Sequence, residues 1–198
     1  MARTIARDHD DKRRMILDRA AGLFADDGFD RSSISKVAAA CDISKANIYH
    51  YYSGKDEILF DILDQYLSAL AARIVGLDLA GLAPEAALLH VVTEILLAYQ
   101  GSDNEHRLQV NAMTFLSSER RDVLLGHQRA LVARMNAVVE PIAPDAFAGD
   151  PARLRATTMS IFGMVNWFYM WSPDADRAAR EEYAAHICRL CVDGIRGL

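Results

Sequence analysis

Five hydrogen-bonding side chains lie close together in the stretch 44–52, which reads SKANIYHYY. At about 100° per residue, an α-helix that turns Ile48 and Tyr52 inward leaves the polar side chains pointing outward. These outward residues are Ser44, Lys45, Asn47, Tyr49 and His50. They supply donors and acceptors for base edges and a cation for phosphate, which are the groups a helix needs to read the major groove of DNA.

The segments before this helix predict how it is held. Ser44 stands where an N-cap belongs, so its hydroxyl is expected to bond a free amide while the positive helix end approaches phosphate. The stretch 32–40 predicts a short helix with Ile34, Val37 and Ala38 on one side, and residues 41–43 predict a turn. This is the pattern of a helix-turn-helix. The alternative is an ordinary corner between two bundle helices, which would not require so many exposed polar residues, including Lys55.

At this point the sequence closely resembles the tetracycline-repressor (TetR) family of bacterial transcription regulators, over about its first sixty residues. The residues that carry the resemblance are Ile16, Ala20, Phe24, Gly28, Phe29, Ser33, Ile34, Val37, Ala38, Ile43, Ser44, Ile48, Tyr49, His50, Tyr51, Tyr52, Lys55 and Leu59. The resemblance implies DNA-contact roles at Ser33, Lys45, Asn47, Tyr49, His50 and Lys55.

The sequence departs from this family at two positions. Asp42 stands where a glycine is usual in the turn, and Gly54 follows Ser53 where larger residues are common. Aspartate tolerates the left-handed backbone region better than most residues with a side chain, so we expect the turn to survive.

The periodicity along the whole chain is helical, and no alternating strand pattern occurs. We therefore predict an all-α fold with an N-terminal three-helix helix-turn-helix head, residues 1–55, and a C-terminal helical body for effector binding and dimerisation, residues 56–198. A mobile arm is expected at 1–8 and an irregular loop at 141–151. The predicted helices span 10–26, 32–40, 44–52, 53–75, 84–100, 104–117, 119–139, 152–171 and 175–196. Ser53 with Asp56 resembles a capping box for the fourth of these helices.

The net charge of −5 is divided unequally along the chain. Residues 1–55 hold ten Lys and Arg against eight Asp and Glu, whereas residues 56–198 hold twelve against nineteen. The head is therefore the basic end, as DNA binding requires. Basic residues also gather at its start, where they either reach phosphate or form an ordinary solvated helix start: Arg3, Arg7, Lys12, Arg13 and Arg14.

Several classes of protein are disfavoured by the sequence. There is no apolar run of about twenty residues and no signal-like start, so we expect a cytoplasmic protein that does not bind membranes. The pair Cys188 and Cys191 lies in a helical stripe and is expected to be buried thiols. The six histidines show no close metal-ligand spacing, and no catalytic motif occurs. We predict no enzyme activity, no metal and no cofactor.

The last two predicted helices indicate a dimer. Residues 159–171 are apolar nearly all round, so this helix must be covered on both sides. We expect it to pair with the following helix and with the same two helices of a second copy as a four-helix bundle; the alternative is a core formed within one chain. The predicted dimerisation residues are Phe168, Tyr183, Ile187, Leu190, Cys191 and Ile195.

Apolar and flat side chains in the body, with a few polar groups among them, predict an effector pocket. The candidates are Tyr66, Asn111, Met113, Phe115, Met135, Met164, Asn166, Trp167 and Trp171. The stretch 163–171 and the segment 174–194 after it are similar to TetR-type regulators that sense acyl-coenzyme A thioesters. This second resemblance implies surface arginines for the coenzyme phosphates, with Arg107, Arg120, Arg121, Arg129 and Arg134 available.

Together these features predict a homodimeric repressor that binds a palindromic double-stranded DNA operator and is released by a small-molecule effector. The effector must bind the two forms of the repressor unequally for the switch to work. The alternative is a DNA-binding protein that a protein partner controls, or that no ligand controls. A filled core with an exposed apolar patch would favour that alternative, whereas a pocket of several hundred cubic ångströms would favour a ligand.

Overall fold

The computed structural model describes the backbone of residues 2–195 and the side chains of residues 9–194. This part of the chain contains ten α-helices and no β-strand, so the predicted all-α fold is confirmed. The helices are α1 (Ala2–Asp27), α2 (Ile34–Ala40), α3 (Lys45–Tyr49), α4 (Lys55–Val75), α5 (Pro84–Ala98), α6 (Asp103–Asn111), α7 (Ser118–Val139), α8 (Pro144–Phe147), α9 (Pro151–Trp171) and α10 (Arg177–Ile195). Short 3-10 turns occupy Met113–Phe115 and Glu140–Ile142.

The chain forms two compact units. The first unit comprises Met1–Leu67 and Asn104–Leu124, and the second comprises Ser68–Asp103 and Leu125–Leu198. The predicted head of residues 1–55 lies within the first unit. Helices α4 and α7 each contribute residues to both units.

The core of the first unit is built by the apolar stripe of α1, as its helical spacing predicts. Ile16, Ala20 and Phe24 are buried there together with Val37 of α2 and Leu59 of α4. Burying each of the larger side chains in this set, all except that of Ala20, stabilises the unit by about 1.5–3 kcal/mol. Helix α1 can therefore serve as a fixed support for the shorter helices that follow it.

In the second unit, α5 packs along α10. A buried arginine joins the two helices: Arg180 Nη1 donates to the carbonyl of Leu96 at 3.0 Å, and its Nε donates to the carbonyl of Ala175 at 3.1 Å. Leu96 lies in the last turn of α5, where carbonyls lack partners within the helix. A cation at this position satisfies one such carbonyl and offsets the negative end of the helix.

Three predicted boundaries and one predicted capping partner were wrong. Helix α1 begins at Ala2 instead of following a mobile arm, since no proline or glycine interrupts residues 2–9. The helix predicted over 104–117 ends at Asn111 and gives way to a 3-10 turn, and the loop predicted at 141–151 contains α8. Before α4, Ser53 pairs with Glu57 and not with Asp56: Glu57 Oε2 accepts from both the amide and the hydroxyl of Ser53 at 2.7 Å.

No helix of the described residues is both long enough and apolar enough to cross a bilayer. All three cysteines carry free thiols. Burial raises the pKa of the Cys188 thiol to about 12, so this thiol stays protonated and unreactive at neutral pH.

Candidate nucleic-acid interface

Helix α3 presents the polar face that its sequence predicts. Ile48 is fully buried, and Tyr52, just beyond the helix, is 2% exposed. The predicted contact residues on the other side are all exposed: Ser44, Lys45, Asn47, Tyr49 and His50. The Lys45 ammonium lies 5.8 Å from the Tyr49 ring centroid, so a cation and an aromatic face stand side by side on this surface.

Both short helices of the helix-turn-helix are capped by serine. The Ser44 hydroxyl accepts from the Asn47 amide at 3.2 Å, as predicted, and the Ser33 hydroxyl accepts from the Lys36 amide at 3.3 Å. Each bond satisfies an amide that has no acceptor inside its own helix, and such caps contribute about 1 kcal/mol. Ser33, a predicted DNA contact, therefore also has a structural role.

The turn between α2 and α3 accommodates Asp42, as expected. Asp42 has φ of 53°, within the left-handed region. The Ile43 amide donates to the Ala38 carbonyl at 3.1 Å, which closes the turn. An aspartate can therefore occupy a position that usually favours glycine.

The geometry of Lys55 corrects its prediction as a phosphate contact. Its ammonium donates to the carbonyls of Phe29, Asp30 and Ser32 at 2.8, 3.2 and 3.0 Å, and it lies 4.5 Å from the Phe29 ring centroid. An ammonium has three protons, and here each has a backbone acceptor. Lys55 therefore holds the loop between α1 and α2 and has no free donor for DNA in this arrangement.

The basic cluster at the start of the chain is also partly committed to other groups. Arg13 Nη2 donates to Asp61 Oδ2 at 2.5 Å, and Arg14 pairs with Asp11 at 2.9 Å. Lys12 also has an interaction within the chain. The side chains of Arg3 and Arg7 lie outside the described residues.

The predicted effector residues fall into both units, and four of them belong to the first. The Tyr66 hydroxyl and His106 Nδ1 are 3.1 Å apart, and His106 is 2% exposed. Met113 is half-buried, whereas Asn111 and Phe115 are exposed. His106 was not among the predicted effector residues, although it is buried beside Tyr66 whereas the predicted Asn111 is exposed.

One pocket of the first unit, about 340 Å³ in volume, lies beside this group. Phe24, Phe29 and Phe115 give it an apolar lining, and Asn111 and Arg107 are at its polar side. Arg107, a predicted phosphate ligand, already has partners on the wall of this pocket: it donates to Asp26 at 3.0 Å and to the Ala25 carbonyl at 2.7 Å.

Three predicted effector residues of the second unit are Asn166, Met164 and Met135. Asn166 Oδ1 accepts from the Tyr99 hydroxyl at 2.7 Å, and the Met164 carbonyl accepts from the Tyr183 hydroxyl at 3.3 Å. Met135 is fully buried. Burial raises the pKa of Tyr99 above its ordinary value, so this hydroxyl remains a donor at neutral pH. Tyr99 was missed because nothing in its local sequence distinguishes it from a core tyrosine.

The dimerisation set requires correction. Phe168 and Ile187 are 2% and 1% exposed, so both belong to the core of a single chain. Tyr183 stacks on Phe168 with ring centroids 4.5 Å apart, and Cys191 is half-buried. Leu190 is 58% exposed and keeps its assignment, while the side chain of Ile195 lies outside the described residues. Helix α5 packs along α10 and covers the buried part of its apolar stripe, so no second chain is needed to bury it.

Two tryptophans predicted for the effector pocket are instead exposed. Trp167 and Trp171 are 60% and 57% exposed on α9, with Met159 and Met170 beside them at 45% and 53%. We call these four residues, with Leu190 of α10, the apolar face. Trp171 also borders a groove of about 320 Å³ whose other walls include Tyr183, His186 and Arg189.

The sequence matches two family models. "Bacterial regulatory proteins, tetR family" matches residues 16–62, and "Tetracyclin repressor-like, C-terminal domain" matches residues 81–195. A relative, the HTH-type transcriptional regulator HbdR of Aromatoleum sp. (strain CIB), is 24% identical over 192 residues, which cover 93% of this chain and 80% of that protein. Several other curated regulators are matched over 25–58% of their own length.

Solved structures agree with these matches. A TetR-family transcriptional regulator from Bordetella parapertussis 12822 is 29% identical, with a TM-score of 0.84 over 94% of this chain and 96% of that one. AibR, crystallised with isovaleryl coenzyme A and operator DNA, shares the fold at 24% identity, with a TM-score of 0.74 over 90% of this chain and 97% of that one.

The family consists of regulators and not of enzymes, so the comparisons confirm the prediction that the chain is no enzyme. A capped helix-turn-helix with an exposed polar α3, the two matching family models and the full-length structural similarity agree: this chain belongs to the TetR family of DNA-binding transcriptional regulators.

Proposed function

We propose that the chain is a ligand-responsive repressor that binds a palindromic operator as a homodimer and leaves it when a small molecule binds. The observation that carries the proposal is the polar surface of α3, with Lys45, Asn47, Tyr49 and His50 exposed on a helix whose other side is buried. Asn47 is assigned to base edges, because an amide side chain can donate one hydrogen bond to adenine and accept another from it. Lys45 and Tyr49 are assigned to phosphate.

The apolar face supports the homodimer. Trp167, Met170 and Trp171 lie on one side of α9, and more than half of each side chain is exposed. Exposed tryptophans grouped in this way are typical of interfaces between chains. In a two-fold dimer each copy brings one α3 to the DNA, so the operator should repeat its half-site in inverted order.

The effector class we propose is an acyl-coenzyme A thioester. Similarity of fold to AibR, which was crystallised with isovaleryl coenzyme A, supports this class. The predicted effector residues, apart from exposed Trp167 and Trp171, stay predictions: Tyr66, Asn111, Met113, Phe115, Met135, Met164 and Asn166.

Several arginines that were predicted to bind the coenzyme phosphates already have other acceptors in the structure. Arg107, Arg120 and Arg134 already donate to Asp26, Asp56 and the Leu77 carbonyl, respectively. A coenzyme phosphate would have to compete with these acceptors. We therefore expect the acyl chain to contribute a larger share of the effector affinity than the phosphates, at about 0.8 kcal/mol per buried methylene.

The test begins with selection of a DNA sequence from a randomised duplex pool by the purified protein. Fluorescence anisotropy on the selected duplex then measures release by a panel of acyl-coenzyme A thioesters, their free acids and coenzyme A alone. Release by thioesters, but not by free acids or by coenzyme A alone, is expected, because only the thioesters carry both the acyl chain and the coenzyme phosphates.

Four results would correct the proposal at different levels. Release by free acids alone would replace the effector class, and no release by any compound would favour control by a protein partner or no ligand control. Failure to select any DNA sequence would overturn the assignment of α3. Enrichment of single half-sites, without an inverted repeat, would contradict the palindromic operator.

A further inference from the structure

Helix α3 is held by very little apolar packing. It spans five residues, Lys45–Tyr49, and only Ile48 among them is buried. The next buried residue is Tyr52, three positions after the last residue of α3, and only 2% of its surface is exposed. Whatever fixes Tyr52 therefore fixes the end of α3 nearest to Tyr49 and His50.

The hydroxyl of Tyr52 is part of a closed polar triangle. Arg13 Nε donates to the Tyr52 hydroxyl at 3.2 Å, and that hydroxyl donates to Asp61 Oδ2 at 2.9 Å. Arg13 Nη2 donates to the same carboxylate oxygen at 2.5 Å. The three residues come from α1, from the chain just after α3 and from α4, so one carboxylate oxygen joins three parts of the head.

Burial of these groups favours the hydrogen bonds of the triangle over bonds to water. The Asp61 side chain is 18% exposed and that of Arg13 is 43% exposed. A buried hydroxyl without a partner would be destabilising, and a carboxylate acceptor makes stronger hydrogen bonds than a neutral one. Burial and the bond to Asp61 raise the pKa of Tyr52 above its ordinary value, so the hydroxyl keeps the proton that it donates.

We propose that Arg13, Tyr52 and Asp61 are positioning residues for operator recognition, which set the orientation of α3 on the head. None of the three is assigned to the DNA surface: Tyr52 is buried, and Arg13 and Asp61 neutralise each other. The inference rests on the proposed DNA-reading role of α3. It assigns Arg13 to the support of α3, in contrast to the phosphate contact that was one of the two readings of the basic cluster.

The test uses four single variants of the full-length chain. Tyr52→Phe removes only the hydroxyl, Asp61→Asn removes the charge at nearly constant shape, and Arg13→Gln changes the most exposed member, which is least needed for folding. The matched control is Asp11→Asn, which removes the carboxylate charge of the exposed Arg14–Asp11 pair on the same helix as Arg13.

Two affinities are measured for each variant, one for the DNA duplex selected by the wild-type protein and one for a duplex of scrambled sequence. The active fraction is determined by stoichiometric titration. A loss of folded protein lowers the active fraction but leaves both affinities unchanged, whereas a misplaced α3 lowers the affinity for the selected duplex more than that for the scrambled one.

We expect Tyr52→Phe and Asp61→Asn to lower the ratio of the two affinities by about tenfold, the factor that corresponds to one charge-assisted hydrogen bond. Arg13→Gln should lower it by a similar factor, and the Asp11→Asn control should retain the wild-type ratio. The double variant Tyr52→Phe with Asp61→Asn should fall short of the product of the two single effects, because both remove the same bond.

The inference is wrong if the three variants keep the wild-type ratio, or if the control lowers it equally. An independent variant separates this failure from failure of the proposed function. Asn47→Ala should change which base is preferred; if it leaves the preference unchanged, the DNA-reading role of α3 fails, whatever the triangle does.

Discussion

Helices α3 and α9 both bury one side and expose the other, but the exposed sides differ in chemistry. Helix α3 exposes an amide, an ammonium and a phenol around a serine cap, whereas α9 exposes two indoles and two thioethers. Polar groups on a short capped helix suit a hydrated, charged partner such as DNA. Large apolar groups on a long helix suit a partner that excludes water, such as a second copy of the chain.

The comparison also shows that periodicity alone does not separate a core from an interface. The apolar stripe on α10 and the apolar side chains on α9 look alike in sequence. In the structure, Ile187 of the first is 1% exposed and Trp167 of the second is 60% exposed. The first two predictions below use this difference, and the two smaller ones concern polar contacts of the head; the largest expected effect comes first.

The largest effect is expected from Ile187→Glu. This substitution places a charge without a partner in the core of the second unit, so we expect a loss of more than about 4 kcal/mol in the free energy of unfolding. Circular dichroism during thermal and urea unfolding measures the change. A folded Ile187→Glu protein that is merely monomeric would contradict the burial of this side chain within one chain.

A smaller effect on folding but a large one on assembly is expected from Trp167→Glu. Trp167 is 60% exposed, so the variant should still fold. The charge on the apolar face should prevent dimerisation, so the variant should sediment as a monomer, in contrast to the dimeric wild type. Loss of the second half-site should then weaken binding to the selected duplex by roughly a hundredfold.

Val110→Glu is the matched control for this variant, because Val110 is also apolar and 60% exposed but lies on α6. It should remain a dimer. A dimeric Trp167→Glu protein, or a monomeric Val110→Glu protein, would contradict the proposed apolar face.

The third prediction separates a positioning lysine from a contact lysine. Lys55→Met removes three hydrogen bonds to backbone carbonyls, so it should lower the free energy of unfolding by about 1–3 kcal/mol. Lys45→Met removes an exposed ammonium and should leave stability within about 0.5 kcal/mol, yet weaken DNA binding and reduce its dependence on salt.

Chemical denaturation and anisotropy over a range of salt concentrations measure the two quantities. An unchanged stability of Lys55→Met together with a reduced salt dependence would restore Lys55 as a phosphate contact.

The smallest effect concerns the cap of α4. Hydrogen bonds from the hydroxyl and amide of Ser53 lower the pKa of Glu57 below its ordinary value of 4.5. A depressed pKa means that the charged form stabilises the fold above pH 4.5, and that this stabilisation is lost as the pH falls through the lower folded-state pKa.

Glu57→Gln should therefore be slightly less stable than the wild type at pH 7 and equally stable in acid. Urea unfolding at several pH values measures the difference. A difference that does not change with pH would show that the charge of Glu57 is not what stabilises the cap.

Local chemistry explains why the head could be predicted residue by residue. The Ser44 cap, the inward Ile48 and the tolerance of Asp42 for a left-handed backbone each depend on a few neighbouring residues. Such effects are readable from spacing and residue type. The sequence by itself therefore determined the all-α class, the helix-turn-helix and the polar surface of α3.

Tertiary structure decided which partner each long side chain meets. Lys55 reaches backward to the loop at Phe29, Arg13 pairs with Asp61 forty-eight residues later, and Arg180 reaches Leu96 across to α5. The sequence contains the charges but not these distances, since long flexible side chains can choose among several acceptors. The assignment of Ile187 to the core and Trp167 to the surface depends in the same way on α5, which covers one apolar stripe and leaves the other uncovered.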